Sequence, residues 1–178
     1  MGANPKTTAF LKECLADALI QLLEVKPIER ITIPEIAELA GVGRTTYFRH
    51  FTTKEEMLTY KYVCLWDRWA QEHSLTVRNT FTPENGLTFF QYNLSIRKLL
   101  EITYKRNLQT ALYESFRQIM KPQCGTDPLD CYQSRFYSYG LFGLLDEWVL
   151  RGFCETPEQM AAIVSDLLQR GGGSHASA

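Results

Sequence analysis

No run of about 18 consecutive apolar residues occurs in the 178-residue chain, and its N-terminus has no apolar signal core, so a membrane-spanning helix and a secretory leader are not expected. A cytoplasmic location with no membrane partner is the expectation. The five cysteines, Cys14, Cys64, Cys124, Cys131 and Cys154, are scattered, form no Cys-x-x-Cys pair and are joined by only three histidines. That suits reduced thiols better than a zinc site or a disulfide framework. A strong excess of either charge is also missing: the net charge is −1 and the pI about 6.3, so any affinity for a polyanion has to be local. Enzymatic signatures are missing as well. There is no phosphate-cradling glycine loop, no His-Glu-x-x-His and no Gly-x-Ser-x-Gly. Asp146 and Glu147 are adjacent and point to different faces of a helix, so no carboxylate pair forms there. An enzyme, a metal and a cofactor are therefore not expected. Strand-like alternation, internal repeats and low-complexity segments are absent too. With 45% apolar and 12% aromatic residues, what remains is a globular all-α chain.

The most specific stretch is residues 32–54. Thr32 can accept from the N–H of Glu35 while Glu35 reaches back to the N–H of Thr32, a capping box that starts a helix. Pro34 lies in the first turn, where it needs no intrahelical partner. Gly41 stands where a helix ends on a left-handed residue, a conformation that only glycine takes without steric cost. After Val42 and Gly43, the run from Arg44 to Phe51 is long enough for about two turns. It sets Tyr47 and Phe51 on one face and Arg44, Thr45, Thr46, Phe48 and Arg49 largely on the others. A second capping box, Thr53 to Glu56, opens the next helix.

Two helices joined by a short glycine-containing turn form a helix-turn-helix, whose second helix enters the DNA major groove. Basic and acidic residues balance over residues 1–62, yet no acidic residue occurs between Leu39 and Lys54, where Arg44, Arg49, Lys54 and the titratable His50 lie. Arginine and lysine neutralise phosphates, and threonine donates to phosphates or base edges. A plain helical hairpin solvated by its cations has the same spacing, so spacing alone does not choose between the two.

The segment 31–42, followed by Thr45-Thr46-Tyr47-Phe48-Arg49-His50-Phe51 and Thr53-Lys54-Glu55-Glu56, closely resembles the N-terminal domain of the TetR family of bacterial transcriptional regulators, over roughly residues 7–60. The resemblance implies base and phosphate contacts at Arg44, Thr45 and Thr46 and a phosphate contact at Lys54, and Phe48, Arg49 and His50 complete the expected DNA-binding set. Two positions depart from the family pattern. Gly43 replaces a capping serine or similar residue, and Phe48 replaces a phosphate-binding tyrosine. Tyr47 takes the neighbouring position, normally buried and apolar, which raises an exchange of the two aromatic roles.

Along the rest of the chain, Leu11, Leu15, Ala18, Leu19, Leu22 and Leu23 recur at helical spacing from Thr7 to about Val25, and Pro27 ends that helix. From Lys54 a long helix carries Met57, Leu58, Tyr62, Leu65, Trp66 and Trp69. Thr82–Gly86 reads as a turn, followed by one helix from Leu87 to about Tyr104 and another from about Asn107 to Met120. Residues 121–128 read as a long loop. Cys124 and Cys131, in and beside it, are expected to be inert, since nothing points to an activated thiol. A strongly apolar helix covers 129–152, Gly152 ends it, and Thr156-Pro157-Glu158-Gln159 starts the last one.

The stretch from Tyr137 to Met160 resembles the branch of the TetR family that includes regulators of dihydroxyacetone kinase operons. That resemblance implies a homodimer through the last two helices, with Tyr139, Phe142, Leu145, Trp148, Val149, Met160, Ile163, Val164 and Leu167 at the interface. Core packing alone explains the same apolar stripes. The family resemblance also implies an effector cavity near Trp66, Trp69, Phe89, Asn93, Tyr113 and Phe116, where apolar walls and a few polar groups suit a small molecule. The same aromatics equally suit a filled core. The division expected is a helix-turn-helix domain at 1–53, a ligand-binding and dimerisation domain at 54–170, and a disordered tail at 171–178.

Together these readings describe a dimeric, sequence-specific DNA-binding regulator, acting as a repressor on a pseudo-palindromic operator, whose DNA affinity an unknown small-molecule effector modulates. Two alternatives share the fold: a ligand-binding or protein-interaction module with weak or lost DNA binding, favoured by Gly43 and Phe48, and an activator that docks on a partner protein.

Overall fold

The computed structural model describes residues 5–75, 83–120 and 128–172. The helices are α1 (Pro5–Val25), α2 (Ile33–Leu39), α3 (Arg44–His50), α4 (Lys54–Glu72), α5 (Pro83–Ser95), α6 (Arg97–Lys105), α7 (Gln109–Ile119), α8 (Pro128–Leu150) and α9 (Pro157–Gly172), with a 3-10 turn at Ile28–Arg30. No strand occurs among the described residues.

All three capping boxes expected or foreshadowed by Thr-x-x-Glu/Gln spacing form. Thr32 Oγ1 accepts from Glu35 N–H, Thr53 Oγ1 from Glu56 N–H, and Thr156 Oγ1 from Gln159 N–H. Each partner side chain returns the bond to the threonine N–H. Helix ends share a device too. Helices α2, α4, α6 and α8 each close with a Schellman pair of backbone bonds around a residue at positive φ: Gly41, Ser74, Asn107 and Gly152. In each, the next residue (Val42, Leu75, Leu108, Phe153) sends its N–H back to a carbonyl five residues earlier. Phe153 is itself at φ 59°, held by Trp148 edge-on at 5.0 Å and the Arg97 guanidinium 4.8 Å above its ring.

Two expectations are corrected. Thr82–Gly86 is not a turn but, from Pro83, the first turn of α5, because proline suits the first helical position. The single helix expected from Leu87 to Tyr104 is interrupted at Ile96, which separates α5 from α6 although its N–H still donates to Tyr92 O at 3.3 Å. In the tail, α9 continues through Gly172, and residues 173–178 lie outside the described residues. The expected loop at 121–127, with Cys124, also lies outside them.

The chain forms two compact units, Met1–Leu65 with Glu101–Ile119, and Trp66–Leu100 with Met120–Ala178. In the first, α1 packs on α2 and α3, which pack on each other, around Leu15, Leu19, Leu23, Ile31, Ile36, Met57 and Leu58. Residues from the distant segment fasten to these helices. Arg106 Nε donates to Leu23 O at 2.6 Å and its Nη2 to Glu24 O at 3.1 Å, satisfying carbonyls left open at the end of α1. Tyr62 and Thr103 share a buried hydrogen bond of 2.6 Å, and Thr59 Oγ1 donates to Ala111 O. In the second unit, Phe90 stands edge-on to the buried Trp148, whose Nε1 donates to Glu155 O, and α5 packs along α9.

The Glu35 carboxylate accepts from Lys26 Nζ at 2.5 Å and from Thr32 N–H and Oγ1 at 2.8 and 2.9 Å. The Lys26 ammonium, then the Thr32 donors, hold its pKa down at about 2, against an ordinary 4.5. Because the folded-state pKa is depressed, this contribution to stability is present above about pH 4.5 and is lost as pH falls toward 2. Glu35→Gln is therefore expected to lower the urea midpoint at pH 7 and to flatten its decline between pH 5 and 3; an acid limb as steep as that of the parent chain would contradict this.

Candidate functional site

The turn from α2 to α3 is Ala40–Gly43, with Gly41 at φ 66°. Helix α3 has only seven residues and no side-chain N-cap, since Gly43 occupies that position. Its anchor is Tyr47, 4% exposed, with Phe51 beside it; the Tyr47 hydroxyl donates to Thr52 O at 3.3 Å. Burying these rings decides what faces outward. At about 100° per residue, Arg44, Phe48, Thr45 and Arg49 follow one another around the helix within an arc of about 140°, and all four are exposed. The two arginines flank the arc, and Phe48 and Thr45 occupy its centre. No acidic residue interrupts it.

The other residues expected at this site lie elsewhere. Thr46 and His50 are half-buried and off the arc. His50 lines a cavity of about 480 Å³ together with Lys12, Phe51, Glu55, Glu56, Tyr60 and Glu114. Lys54 Nζ donates to Ile28 O at 2.5 Å and Ile31 O at 2.9 Å, closing the 3-10 turn against the start of α4. Two of its three donors are thereby used, leaving one for another acceptor. Sequence periodicity carries no signal for this clamp, because its partners are backbone carbonyls more than twenty positions away.

Two family models match the chain: "Bacterial regulatory proteins, tetR family" over residues 15–60, and "Transcriptional regulator C-terminal region" over residues 70–170, more than half of its length. The chain belongs to the TetR family of bacterial transcriptional regulators. Its fold is similar to three solved structures. For the dihydroxyacetone kinase operon activator DhaS the TM-score is 0.54 at 15% identity, covering 90% of this chain and 95% of that one. For the fatty acid degradation regulator FadR from Bacillus halodurans it is 0.54 at 16%, covering 98% and 99%. For a TetR transcriptional regulator from Rhodococcus sp. RHA1 it is 0.51 at 21%, covering 97% and 100%. At these identities the likeness is one of fold. No curated protein matches the chain in sequence.

As a TetR-family regulator the chain is not an enzyme, and no group of three or more potential metal ligands occurs among the described residues. No helix among them is long and apolar enough to cross a membrane. Of the residues expected around an effector, Trp66, Trp69, Phe89 and Asn93 lie in one unit: Trp66 stands edge-on to Phe89 and Tyr92, and the buried Asn93 donates to Phe89 O at 2.9 Å. Trp69 stacks on His73 at 4.0 Å, and its indole N–H is buried without a hydrogen-bond acceptor among the described residues. Tyr113 and Phe116 lie on α7, in the other unit.

On the last two helices of this regulator, Leu145, Trp148, Val149 and Met160 are buried within the single chain, and Phe142 and Val164 are half-buried. Tyr139, Ile163 and Leu167 are exposed. So are three residues that the sequence reading did not place on a contact face: Leu129, Tyr132 (76%) and Phe136 (74%). The spacing 129, 132, 136, 139 is that of one helical stripe, but α8 is apolar on its buried face as well, so the stripe does not stand out in the sequence.

The uncapped start of α3 supports a stability test. Gly43 sits at φ −69°, ψ 143°, and a Cβ added there meets only Thr45 Oγ1 at 3.7 Å, ordinary contact. Gly43→Ser places an acceptor before the free N–H groups of α3 and narrows the unfolded ensemble. It is expected to raise stability by about 0.3–1 kcal/mol, seen as a higher urea midpoint; a lower midpoint would show that the glycine is needed for its backbone.

Proposed function

We propose that this regulator is a homodimeric, sequence-specific DNA-binding repressor whose affinity for a pseudo-palindromic operator is modulated by a small-molecule effector. The observation that carries the reading is the exposed arc of α3, flanked by Arg44 and Arg49 and free of acidic residues. Its width suits a helix lying in the major groove, with arginines directed to the phosphate backbone. The near-neutral chain as a whole supplies no comparable field, so this placement matters more than the amount of charge.

Dimerisation is supported by the exposed stripe Leu129, Tyr132, Phe136 and Tyr139 on α8, with Ile163 and Leu167 exposed on α9. A contiguous apolar face is what an interface between identical copies presents. Leu145, Trp148 and Met160, whose side chains are already covered within the chain, leave the face to the exposed residues. The effector reading rests on the aromatic group around Trp66 and Trp69. A buried indole N–H without an acceptor loses free energy until a ligand atom accepts from it, so an effector with an apolar body and at least one acceptor fits. The unit boundary falls within α4, the helix that begins at the Lys54 clamp, and ligand occupancy is transmitted through that helix to the spacing of the two recognition helices.

Arg44→Ala and Arg49→Ala are each expected to weaken binding to a selected duplex and to reduce the slope of log affinity against log salt by roughly one, with the fold retained; unchanged slopes in both would remove these arginines from the phosphate contacts. Phe136→Glu places a charge in the proposed interface, and sedimentation at micromolar concentration is expected to give half the parent mass. A dimer that persists would move the interface off this stripe.

A further inference from the structure

Phe48 is 70% exposed, at the centre of the arc that faces away from the body of the unit. Its ring meets Tyr47 edge-on, with centroids 5.1 Å apart and an interplanar angle of 84°, so one edge rests on a buried neighbour and the rest of the ring faces solvent. A benzyl side chain neither donates nor accepts a hydrogen bond. It cannot hold a phosphate, and it cannot read the donor and acceptor pattern of a base edge. The major groove offers one apolar group on unmodified bases, the C5-methyl of thymine. Arg44 and Arg49, on either side, are placed to meet the phosphate walls and bring the centre of the arc to the groove floor.

We propose that Phe48 is a specificity-determining residue that packs on the C5-methyl group of a thymine in each operator half-site, with Thr45 beside it on the groove floor. This deepens the DNA-binding reading above and rests on it. The residue that distinguishes the site is thus one unable to contribute a phosphate hydrogen bond: it exchanges general affinity for selection of one base. Burial of a single methyl against the ring sets the size of the effect, about fourfold in affinity.

The test begins with selection of duplexes from a random library by the full-length protein. Each thymine of the selected duplex is then replaced in turn by deoxyuridine, which removes only the methyl group. The parent protein is expected to bind about fourfold more weakly when one particular thymine of a half-site is replaced. Phe48→Ala is expected to bind the thymine and uracil duplexes equally while still preferring both to a scrambled duplex. Phe48→Leu, which keeps an apolar contact, is expected to retain part of the difference, and circular dichroism of both variants reports whether they are folded. If no thymine methyl matters to the parent protein, or if Phe48→Ala keeps the full uracil penalty, the proposal is overturned while DNA binding stands. If no duplex is enriched at all, the DNA-binding reading fails and takes this proposal with it.

Discussion

A helix of seven residues does not hold itself in water, so whatever α3 displays depends on the burial of Tyr47 and Phe51 beneath it. These rings fix both the rotation of the helix about its axis and its distance from α1. The hydroxyl of Tyr47 reaches Thr52 O, and the N–H groups of Thr52 and Thr53 in turn donate to Glu56. The end of α3 is thereby joined to the start of α4 without a gap in hydrogen bonding. At the other end, Gly41 in the left-handed region redirects the chain within a few residues. The arc of Arg44, Thr45, Phe48 and Arg49 is the geometric complement of this anchor: a one-residue rotation of the helix would bury one of its members and expose Tyr47. An exchange of roles between the two aromatics, raised by the sequence, is resolved in that way. Tyr47 is inside with its hydroxyl satisfied, and Phe48 is outside with nothing to satisfy.

The N-terminal helices do not complete their own unit. The end of α1 leaves carbonyls that need donors, and the guanidinium of Arg106 supplies them from a segment beyond α5. Tyr62, on α4, is buried with Thr103 as partner, and burial raises its phenol pKa, so the pair is held as a neutral hydrogen bond. Lys61, also on α4, meets Asp17 of α1 at 2.6 Å with Glu13 at 3.6 Å. The helices that carry the arc are thus braced by residues 101–119. A division of the chain at residue 54 follows sequence order, whereas the compact units interleave.

What the sequence makes legible is what local chemistry decides. A capping box needs two side chains three residues apart, so Thr32 with Glu35 and Thr53 with Glu56 can be read directly, as can the glycine ends at Gly41 and Gly152. The Schellman ends at Ser74 and Asn107 use the same backbone geometry without glycine; Asn107, following Lys105 and Arg106, carries the weaker asparagine form of the signal, and Ser74 carries none. The break at Ile96 has no glycine or proline beside it, so the local sequence carries no punctuation for it. Residues on α8 show a different limit. An apolar helix buried on one face and apolar on the other has little periodic contrast, so Leu145 and Trp148, which are core, read like Tyr132 and Phe136, which are surface. The Lys54 clamp is least legible, because a lysine at a helix start reads as a free cation until the carbonyls of Ile28 and Ile31 are seen beneath it.

That clamp bears on how the arc would discriminate among DNA sites. With two Lys54 donors committed to carbonyls, Arg44 and Arg49 are the principal cations of the face. Each phosphate neutralised adds affinity at every sequence alike, whereas base contacts add it at few. A face with few cations and an apolar centre therefore starts from weak general attraction, and a larger share of its binding free energy has to come from the groove floor. In the proposed reading, the missing tyrosine hydroxyl at position 48 and the clamped ammonium at position 54 act in the same direction: both lower affinity for arbitrary DNA, and neither weakens an apolar contact with a thymine methyl. In that reading the phenylalanine at position 48, which by itself invites a reading without DNA binding, narrows the choice of sites instead of abolishing the contact.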